Sequence, residues 1–449
     1  MNNLSDSKYL KNREKRFFYI MSEVFLIAML VMPAYFGIPV PGFDLTAIRI
    51  MIIVLMVMIC CNRDRLYDFF RTVKYNQIFL VLLPYLFVIV YTTVFRTDLK
   101  AFLNPFIEIL TFFLLIYTIK DCLGVEKTLA IVIGCYYLFA VQGIIEYPRG
   151  ESLFKLLKTL DGNLVGGNFV RGGQYRIMGP APHSLGYGLM LVIGFPLTTL
   201  DLKNKTMYLF QRPVLFLLII VNIVFTGSRS ALAIFFVQLI LVFILSSKSE
   251  KKKTLLFGTV GFIVLMVILV ALSGTSIGNY FMLQITGVVD EVFGTTFSLN
   301  YGATLITQQS SDYRDYLWYV FQVSWLNPLI GIGRSRSFST VINGVTLESL
   351  DNFYIAEYVR YAYPGMFSYI FFMVFMIVKM LIKLIKKPDD YTKVFLISAI
   401  GYAMGIYFTD TLSTLKYLYL IFALFICYAD DMFVVKSRKK KSKYLRQAL

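Results

Sequence analysis

The long segments that connect apolar stretches on one predicted face of this chain contain arginine, whereas the connections on the other face are rich in lysine. Arginine has a planar fork that holds phosphate or carboxylate through two parallel hydrogen bonds, and lysine does not. Charge balance alone would not select arginine, so the pattern predicts a surface that binds a polyanion. The arginines are Arg149, Arg171, Arg176, Arg229, Arg314, Arg334, Arg336 and Arg360, and Lys155 and Lys158 are the lysines among them.

Three side chains near these arginines are candidates for a base that accepts a proton from a hydroxyl group, namely Asp351, Glu357 and His183. Asp351 precedes a helical pattern and could equally be the N-cap of that helix. Glu357 and Arg360 are three residues apart and could simply pair with each other. His183 stands where an apolar stretch begins and could equally be a capping or interfacial residue. The sequence leaves these alternatives open.

The turn Gly227-Ser228-Arg229-Ser230 joins two apolar stretches on the arginine-containing face. An arginine in a tight turn at the start of a helix, among backbone N–H groups, forms a credible phosphate site. The alternative is an arginine that merely extends its charged end to a membrane interface.

Composition indicates an integral membrane protein. Of the 449 residues, 57% are apolar and 16% are charged, and the mean hydropathy is +0.67. About twelve apolar stretches are long enough to cross ~30 Å of hydrocarbon as helices, which predicts an all-α polytopic bundle. They are roughly Phe17–Gly37, Leu45–Cys61, Gln77–Phe95, Leu103–Ile119, Thr128–Glu146, Ser184–Leu200, Pro213–Thr226, Ala231–Ser247, Thr254–Ser273, Tyr363–Ile385, Val394–Thr411 and Leu415–Val435.

Basic residues concentrate on one side of these stretches and at both ends of the chain. About 30 of the 44 lysines and arginines fall there, and the positive-inside rule makes that side cytoplasmic. Both termini are therefore predicted in the cytoplasm, which agrees with an even number of spans. The formal charge of +17 reflects this topology and contact with anionic lipid headgroups. A nucleic-acid binder would concentrate its charge in a soluble domain, and none is predicted.

Neither disulfides nor metal sites are expected from the cysteine and histidine content. The cysteines fall in apolar stretches or cytoplasmic turns, and the chain has one histidine. Disulfides form in oxidising compartments, and structural metal sites need clustered cysteine or histidine ligands. We therefore expect no cofactor. The cysteines are Cys60, Cys61, Cys122, Cys135 and Cys427.

Residues 1–449 are predicted to form one membrane domain with two long outer segments, residues 147–183 and residues 274–362. Loops of this length inside a compact bundle are usually functional. The first segment is rich in glycine, which lets the backbone approach a ligand closely. No internal repeat is evident, which disfavours a transporter built from inverted repeats.

The second outer segment contains short helical patterns. In Asp312–Trp325, the side chains of Arg314, Trp318 and Trp325 fall on one stripe. This stripe indicates an interfacial helix with tryptophans at headgroup depth, a cation beside an aromatic platform, or both. A further helical pattern begins at residue 349 and continues to the apolar stretch that starts at Tyr363.

Two charged residues fall within apolar stretches. Arg49 and Glu108 each lie about five residues from the outer end of a stretch, which places them at similar depth, about 7–8 Å by helical rise. Charges at such depth rarely face lipid and are normally paired. We expect a structural ion pair between them rather than direct contact with a substrate.

Four short motifs follow one another along the arginine-containing face: Arg176-Ile177-Met178-Gly179 before Pro180 to Gly188, Gly227-Ser228-Arg229-Ser230, Arg314 and Trp318 before Asn327-Pro328-Leu329-Ile330-Gly331-Ile332-Gly333, and Asp351-Asn352-Phe353-Tyr354 before Pro364-Gly365. Each motif is short. Together, in order and placement, they resemble the O-antigen ligase and polysaccharide repeat-unit polymerase superfamily of bacterial membranes. The resemblance covers roughly Gly143 to Met380.

The resemblance implies glycosyl transfer on the outer face of the bacterial cytoplasmic membrane, from a polyprenyl-diphosphate-linked glycan to an acceptor, without metal or nucleotide sugar. Ligases of this superfamily typically have histidine before the asparagine of the fourth motif. This chain has Asp351 there, which favours a polymerase of O-antigen or capsule repeat units over a ligase. The implied catalytic residues are Asp351, Arg314 and Arg229, and the implied substrate-binding residues are Arg171, Arg176, His183, Arg334, Arg336, Glu357, Arg360 and Trp318.

Two other classes of protein are weighed against the polymerase. A flippase for the same lipid-linked unit should place charge through the middle of the bundle, whereas the middle of each stretch is nearly free of charge here. A scaffold that sets chain length usually has few spans and a large soluble domain, but such a regulator would be a natural partner. The expected partners are thus lipid-linked donor and acceptor, membrane lipids and a chain-length regulator, with no nucleic acid.

Overall fold

The computed structural model describes residues 2–40, 44–74, 77–160, 170–171, 174–303, 313–342 and 344–433. Within these residues the chain is mostly helical, and its strands form short antiparallel hairpins. The predicted all-α class is correct at this level. The side chain of Arg171, the predicted helix start at Asp312, the glycines at 166–167 and the basic tail at 434–449 lie outside the described residues.

The helices follow the apolar stretches in chain order. They are α1 (Asn2–Val31), α2 (Ala47–Cys60), α3 (Arg63–Lys74), α4 (Gln77–Arg96), α5 (Leu99–Thr118), α6 (Val125–Arg149), α7 (Ser184–Thr198), α8 (Pro213–Phe225), α9 (Arg229–Leu245), α10 (Lys248–Ala271), α11 (Ser276–Phe293), α12 (residues 313–317), α13 (Phe353–Lys386), α14 (Asp390–Gly405) and α15 (Leu415–Tyr428). The hairpins pair β1 (Gly37–Ile38) with β2 (Leu45–Thr46), β3 (Val170–Arg171) with β4 (Gln174–Tyr175), β5 (Leu200–Asp201) with β6 (Thr206–Met207), and β7 (Thr340–Ile342) with β8 (Val345–Leu347).

Among the described residues, five helices are long and apolar enough to cross a membrane: α4, α5 with a π-helical extension to Leu123, α6, α10 and α13. Shorter apolar helices of 10–17 residues are α2, α7, α8, α9 and α15. Each predicted apolar stretch contains a helix. The expectation of an all-α membrane protein therefore agrees with the structure.

Helix α7 lies inside the bundle and α10 at its edge. Every residue of α7 except Leu185 is buried, as expected for a helix that is apolar on all sides. The hydroxyl of Tyr187 donates to Phe139 O at 2.8 Å and pairs with Asn222 Oδ1 at 3.0 Å, so this polar group inside the bundle is satisfied. In contrast, 6% of the most apolar part of α10 is buried, which leaves that helix to be covered by lipid.

The second outer segment folds around an apolar core of its own. Its buried side chains come from α12, from the residues between α12 and β8, and from the first half of α13. This core makes residues 313–362 a folded cap on the bundle rather than a loose connection. The core residues are Leu317, Val320, Leu326, Ile332, Phe338, Leu347, Ile355, Tyr358, Val359 and Met366.

Helix α13 is broken at Ala362, where φ is 58° and ψ is −169°. The break follows from Pro364, which has no N–H to donate to the carbonyl one turn earlier. Tyr363 also leaves the helical pattern, and its N–H donates to Pro328 O at 3.2 Å. Two carbonyls in the first half of α13 thereby lose their helical partners.

The segment that follows Pro328 supplies the missing donors. The N–H groups of Ile332 and Gly333 donate to Val359 O at 2.9 Å and to Arg360 O at 3.1 Å. These are the two carbonyls that Tyr363 and Pro364 would have paired with in a continuous helix. The segment approaches so closely that a Cβ on Gly331 would overlap the backbone of Arg360.

The predicted helix over Asp312–Trp325 is wrong in its second half. The α-helix ends at residue 317 and continues as the 3-10 turn Trp318–Gln322. The two tryptophans have different partners: the ring of Trp318 lies 6.2 Å from Tyr407, and that of Trp325 lies 5.8 Å from Phe338. Aromatic and β-branched residues are weak helix formers, so these contacts decide the local structure instead.

We expect Gly331→Ala to lower the melting temperature of the purified protein, because the added Cβ meets backbone atoms of α13 that cannot move aside. Overpacking of this kind costs about 1–3 kcal/mol. The matched control is Gly258→Ala in α10, where a Cβ meets nothing within 4 Å. That control should leave the melting temperature unchanged or raise it, since alanine favours a helix over glycine by about 1 kcal/mol. Equal melting temperatures for the two variants would contradict the close docking of Gly331.

Candidate functional site

A cavity of about 500 Å³ opens beside the break in α13. Its wall comes from the residues after Gly333, the turn before α13, the loop between α14 and α15, and the start of α7. The fold thus brings predicted site residues from separate parts of the chain to one place, which we call the arginine cavity. These residues are His183, Arg334, Arg336, Asp351 and Arg360.

Glu357 lies behind this wall and is 1% exposed. Its carboxylate accepts a hydrogen bond of 2.9 Å from the Tyr85 hydroxyl and lies 3.4 Å from Arg334 and 3.6 Å from Arg360. The pairing of Glu357 with Arg360 that the sequence left open is therefore confirmed. Because Glu357 does not line the cavity, it is not placed to accept a proton from a substrate there.

Arg360 has a second carboxylate partner that the sequence analysis missed. Asp410, in the loop between α14 and α15, lies 2.5 Å and 3.4 Å from the two terminal nitrogens of Arg360. Burial alone would raise the pKa of Asp410, but the Arg360 guanidinium and the Thr411 N–H lower it below its usual value. Arg360 is therefore held as a fixed, compensated charge on the cavity wall.

The ion pair predicted between Arg49 and Glu108 takes a different form. Glu108 Oε1 lies 4.0 Å from Arg334 Nη1. Arg49 donates to Asp44 O at 2.6 Å and to Asn104 Oδ1 at 2.8 Å, and Glu108 attracts it only at longer range. Their equal depth in the bundle predicted that Arg49 and Glu108 would be neighbours. The rotation of each helix about its axis decides which charged side chains are in contact.

Asp98, the N-cap of α5, fixes the position of Arg334. Its carboxylate accepts from Arg334 N at 2.6 Å, Ser335 N at 2.8 Å and Ser335 Oγ at 2.6 Å, and it caps α5 through Lys100 N. Burial opposes ionisation of Asp98, but these hydrogen bonds lower its pKa. Gly333 has φ of 85°, and a Cβ there would overlap this carboxylate. In the sequence, only the position of Asp98 before an apolar stretch could have indicated a helix N-cap.

The helix cap predicted for Asp351 belongs to its neighbour. Asn352 Oδ1 accepts from Tyr354 N at 2.9 Å and Ile355 N at 3.2 Å, so Asn352 is the N-cap of α13. Asp351 accepts a hydrogen bond of 2.7 Å from Ser349 Oγ and faces the arginine cavity. Since its carboxylate is not needed to cap the helix, it is available to a ligand.

His183 is the N-cap of α7. Its Nδ1 accepts from Leu185 N at 3.1 Å. Burial and the nearby charge of Arg176 lower the pKa of His183 from 6.5 to about 4. The imidazole is therefore neutral near pH 7, and its capping role is the one that the sequence left as an alternative.

Arg176 is buried against the turn that precedes α9. Its Nε donates to Thr226 O at 2.7 Å, and a Cβ on Gly227, where φ is 60°, would come within 3.0 Å of that Nε. Ser228 then caps α9 through Ala231 N, and Arg229 is the first residue of the helix, as predicted. The two predicted phosphate motifs are thus in direct contact.

A carboxylate on α11 joins two of the predicted arginines. Arg229 Nε lies 3.7 Å and Arg314 Nη1 lies 3.3 Å from Glu291, and we call these three residues the Glu291 cluster. The guanidinium carbon of Arg314 also lies 5.6 Å from the Phe408 ring centroid. Phe408 directly precedes Thr409, a residue of the arginine cavity wall, so adjacent residues of the chain link the cluster to the cavity. Sequence reasoning missed Glu291, since α11 was not recognised as a separate helix.

Glu146, at the end of α6, holds the first motif in shape. Its buried carboxylate accepts from Met178 N at 2.6 Å, Gly179 N at 3.0 Å, the Tyr175 hydroxyl at 2.9 Å and Gln142 Nε2 at 2.6 Å. A carboxylate with four donors is a rigid anchor. No sequence pattern indicated this role, because Glu146 stood at the edge of an apolar stretch.

The remaining predicted residues differ in their access to ligand. Arg336 is exposed on the cavity wall, and within the described part of the chain it forms no ion pair. Trp318 is 51% exposed, and its ring lies 6.2 Å from that of Tyr407. Arg171 belongs to β3, but its side chain lies outside the described residues. Arg336 is therefore the cavity arginine best placed to meet an anion.

We expect His183→Asn to change the pH dependence of stability. Asparagine keeps an N-cap acceptor but does not titrate. Because the pKa of folded His183, about 4, is below its ordinary value of 6.5, the wild type loses stability as the pH falls from 6.5 toward 4. When the pH is lowered from 7.5 to 5, the free energy of unfolding should fall by about 2 kcal/mol more in the wild type than in the variant. Thermal unfolding at both pH values measures this, and parallel losses would contradict a buried neutral imidazole.

Comparison of the chain with models of known protein families found no match, and comparison with curated protein sequences found no significant match. Function therefore has to be inferred from the geometry and charges of the site. The arginine cavity and the Glu291 cluster are the two features that carry this inference.

Proposed function

We propose that the protein is a membrane glycosyltransferase that polymerises polyprenyl-diphosphate-linked oligosaccharide repeat units for a bacterial surface polysaccharide. The observation that carries the proposal is the arginine cavity, where three arginines and Asp351 line a space of about 500 Å³. Small-molecule sites are typically about 300–1,000 Å³. A space of this size suits the sugars of a bound glycan.

In this proposal the diphosphate binds at the Glu291 cluster. Negative charge grows on the leaving diphosphate as the glycosidic C–O bond breaks, and guanidinium donors held in place stabilise that charge. Arg229 and Arg314 now share one carboxylate, at 3.7 Å and 3.3 Å. A diphosphate offers more charge and more acceptor oxygens than Glu291, so it can replace this carboxylate as their common partner.

The sugars then lie in the arginine cavity. Arg334 and Arg360 are already compensated by buried carboxylates, so their main effect is to shape the wall. Arg336 and Asp351 remain to bind sugar hydroxyls or anionic groups. Asp351 acts as the base that receives the proton of the attacking hydroxyl, and the Ser349 hydroxyl at 2.7 Å orients its carboxylate.

The proposal includes a topology. All twelve apolar helices cross the bacterial cytoplasmic membrane, both termini are cytoplasmic, and the arginine cavity opens on the extracytoplasmic side. The lysine-rich connections and the arginine-rich outer segments support this orientation. The donor and the acceptor would both be lipid-linked glycans, and a chain-length regulator would bind from outside.

The deciding experiment supplies purified protein with defined polyprenyl-diphosphate-linked repeat units and separates the products by size. A ladder of products identifies a polymerase. A single transfer to another lipid identifies a ligase. Unchanged substrate in a correctly folded preparation refutes glycosyl transfer. The remaining hypothesis is then a flippase for the same lipid-linked unit.

We expect Asp351→Asn to reduce ladder formation by about 10²–10⁴-fold, the range for loss of a positioned base. The melting temperature should be unchanged, because Asn352 caps the helix. The matched control is Asn352→Ala, which should cost about 1 kcal/mol of stability and retain the chemistry. Full activity in Asp351→Asn would exclude Asp351 as the base.

We expect Arg314→Lys to lower the transfer rate by about 10²–10³-fold even though the charge is kept, because lysine cannot make two parallel hydrogen bonds to a phosphate. Arg149→Lys is the control, since Arg149 is exposed and lies 3.9 Å from Glu151, away from the cavity wall. Its rate should match that of the wild type. Equal rates in the two variants would remove Arg314 from the diphosphate site.

A further inference from the structure

A second, smaller space adjoins the arginine cavity. It is a crevice of about 30 Å³ at the start of α15, and Lys416 lies on its wall. The two spaces share Leu412, and Pro182 of the crevice is followed directly by His183 of the cavity. We call this space the Lys416 crevice. A ligand in the cavity could extend one group into it.

Lys416 has no anionic partner among the residues that the structure describes. Its ammonium lies 3.4 Å from the Met32 carbonyl and 5.3 Å from the Tyr417 ring centroid. A cation inside a membrane protein is normally paired, and one without a carboxylate partner marks a candidate functional site. Lys416 thus has a carbonyl and a ring as neighbours but no anion, so an anion in the crevice would complete its pairing.

The backbone at the same point also favours an anion. Lys416 is the second residue of α15, a helix of 14 residues, and the N-terminal end of a helix is electropositive. The N-cap Thr414 makes no capping hydrogen bond with its side chain, because its hydroxyl donates to Thr411 O. A lysine at this end opposes the helix dipole, so helix stability does not explain it. Ammonium and N–H groups together suit a small oxyanion.

Strained residues form the border between the crevice and the cavity. Leu412 and Ser413 have φ values of 45° and 65°, a conformation that side chains other than glycine rarely adopt. Each costs about 1–3 kcal/mol, and such residues cluster at ligand sites. Strained backbone and an amine without a carboxylate partner therefore coincide at the border between the two spaces.

We propose that the Lys416 crevice is an anion subsite that receives the carboxylate of an acidic sugar in the bound glycan. The proposal rests on the proposed function, because it takes a glycan as the occupant of the arginine cavity. A space of about 30 Å³ holds about two water molecules, so a carboxylate enters and a sugar ring does not. A lipid phosphate offers the same chemistry, but the wall shared with the cavity favours the glycan.

The test compares two soluble probes that differ in one group. Cellobiouronic acid and cellobiose are titrated calorimetrically into the full-length protein in nanodiscs of zwitterionic lipid. The wild type should bind the acid at least ten-fold more tightly than the neutral disaccharide. Lys416→Met should remove this preference, and Lys416→Arg should keep it. Equal affinity of the wild type for both probes, or a preference that survives in Lys416→Met, overturns the proposal.

Two controls separate this site from a structural role and from lipid. Lys416→Met should keep or raise the melting temperature, because it removes an amine that has no carboxylate partner. A clear fall in the melting temperature would assign Lys416 to structure and overturn the proposal. If phosphatidylglycerol in the nanodiscs abolishes the preference, the crevice holds a lipid phosphate and the sugar assignment is wrong. The binding measurement does not require glycosyl transfer. The preference for the acid can therefore be absent from an active polymerase, and it can be present in a protein that has no polymerase activity.

Discussion

The two helical hydrogen bonds that α13 lacks around Pro364 are replaced by bonds from Ile332 and Gly333, and the site depends on this replacement. A buried carbonyl without a partner costs about 1–3 kcal/mol, so the break is stable only while the segment is docked. Docking places Arg334 directly after Gly333, on the cavity wall. The Asp98 carboxylate holds the same point from α5. One proline thus sets the position of a charged side chain far away in the sequence.

The charges behind the cavity wall have a different role from those on it. Glu357 is shared by Arg334 and Arg360, at 3.4 Å and 3.6 Å, and is almost fully buried. Removing one partner from such a group leaves a buried charge and costs about 3–5 kcal/mol. These arginines therefore maintain the shape of the wall, and exposed Arg336 is left to meet a ligand. A count of arginines in the sequence overstates the number that bind.

Local features of the sequence predicted local structure well. Apolar stretches gave helices because length and composition decide them, and the boundary before Tyr363 was correct because Pro364 has no N–H for the carbonyl one turn earlier. Contacts between distant segments could not be predicted, as Glu146 with Met178 and Glu291 with Arg314 show. Such contacts depend on how each helix is rotated. Two adjacent residues with similar capping ability, Asp351 and Asn352, also could not be distinguished, because backbone conformation decides which one caps.

Backbone strain is distributed unevenly and follows the same site. Four of the five non-glycine residues with positive φ among those described lie at the site, and the fifth, Lys205, lies in the hairpin of β5 and β6. Thr97 precedes the Asp98 anchor, Ala362 is the break, Leu412 borders both spaces and Ser413 lines the crevice. Strained conformations persist only where surrounding contacts fix them, and here those contacts are the docked segment and the buried ion pairs. Glycine would adopt these conformations at lower cost, so the stability of the bundle does not explain the residues found there. Strain beside the charged walls therefore indicates that the geometry of the cavity, rather than the stability of the bundle, determines this part of the protein.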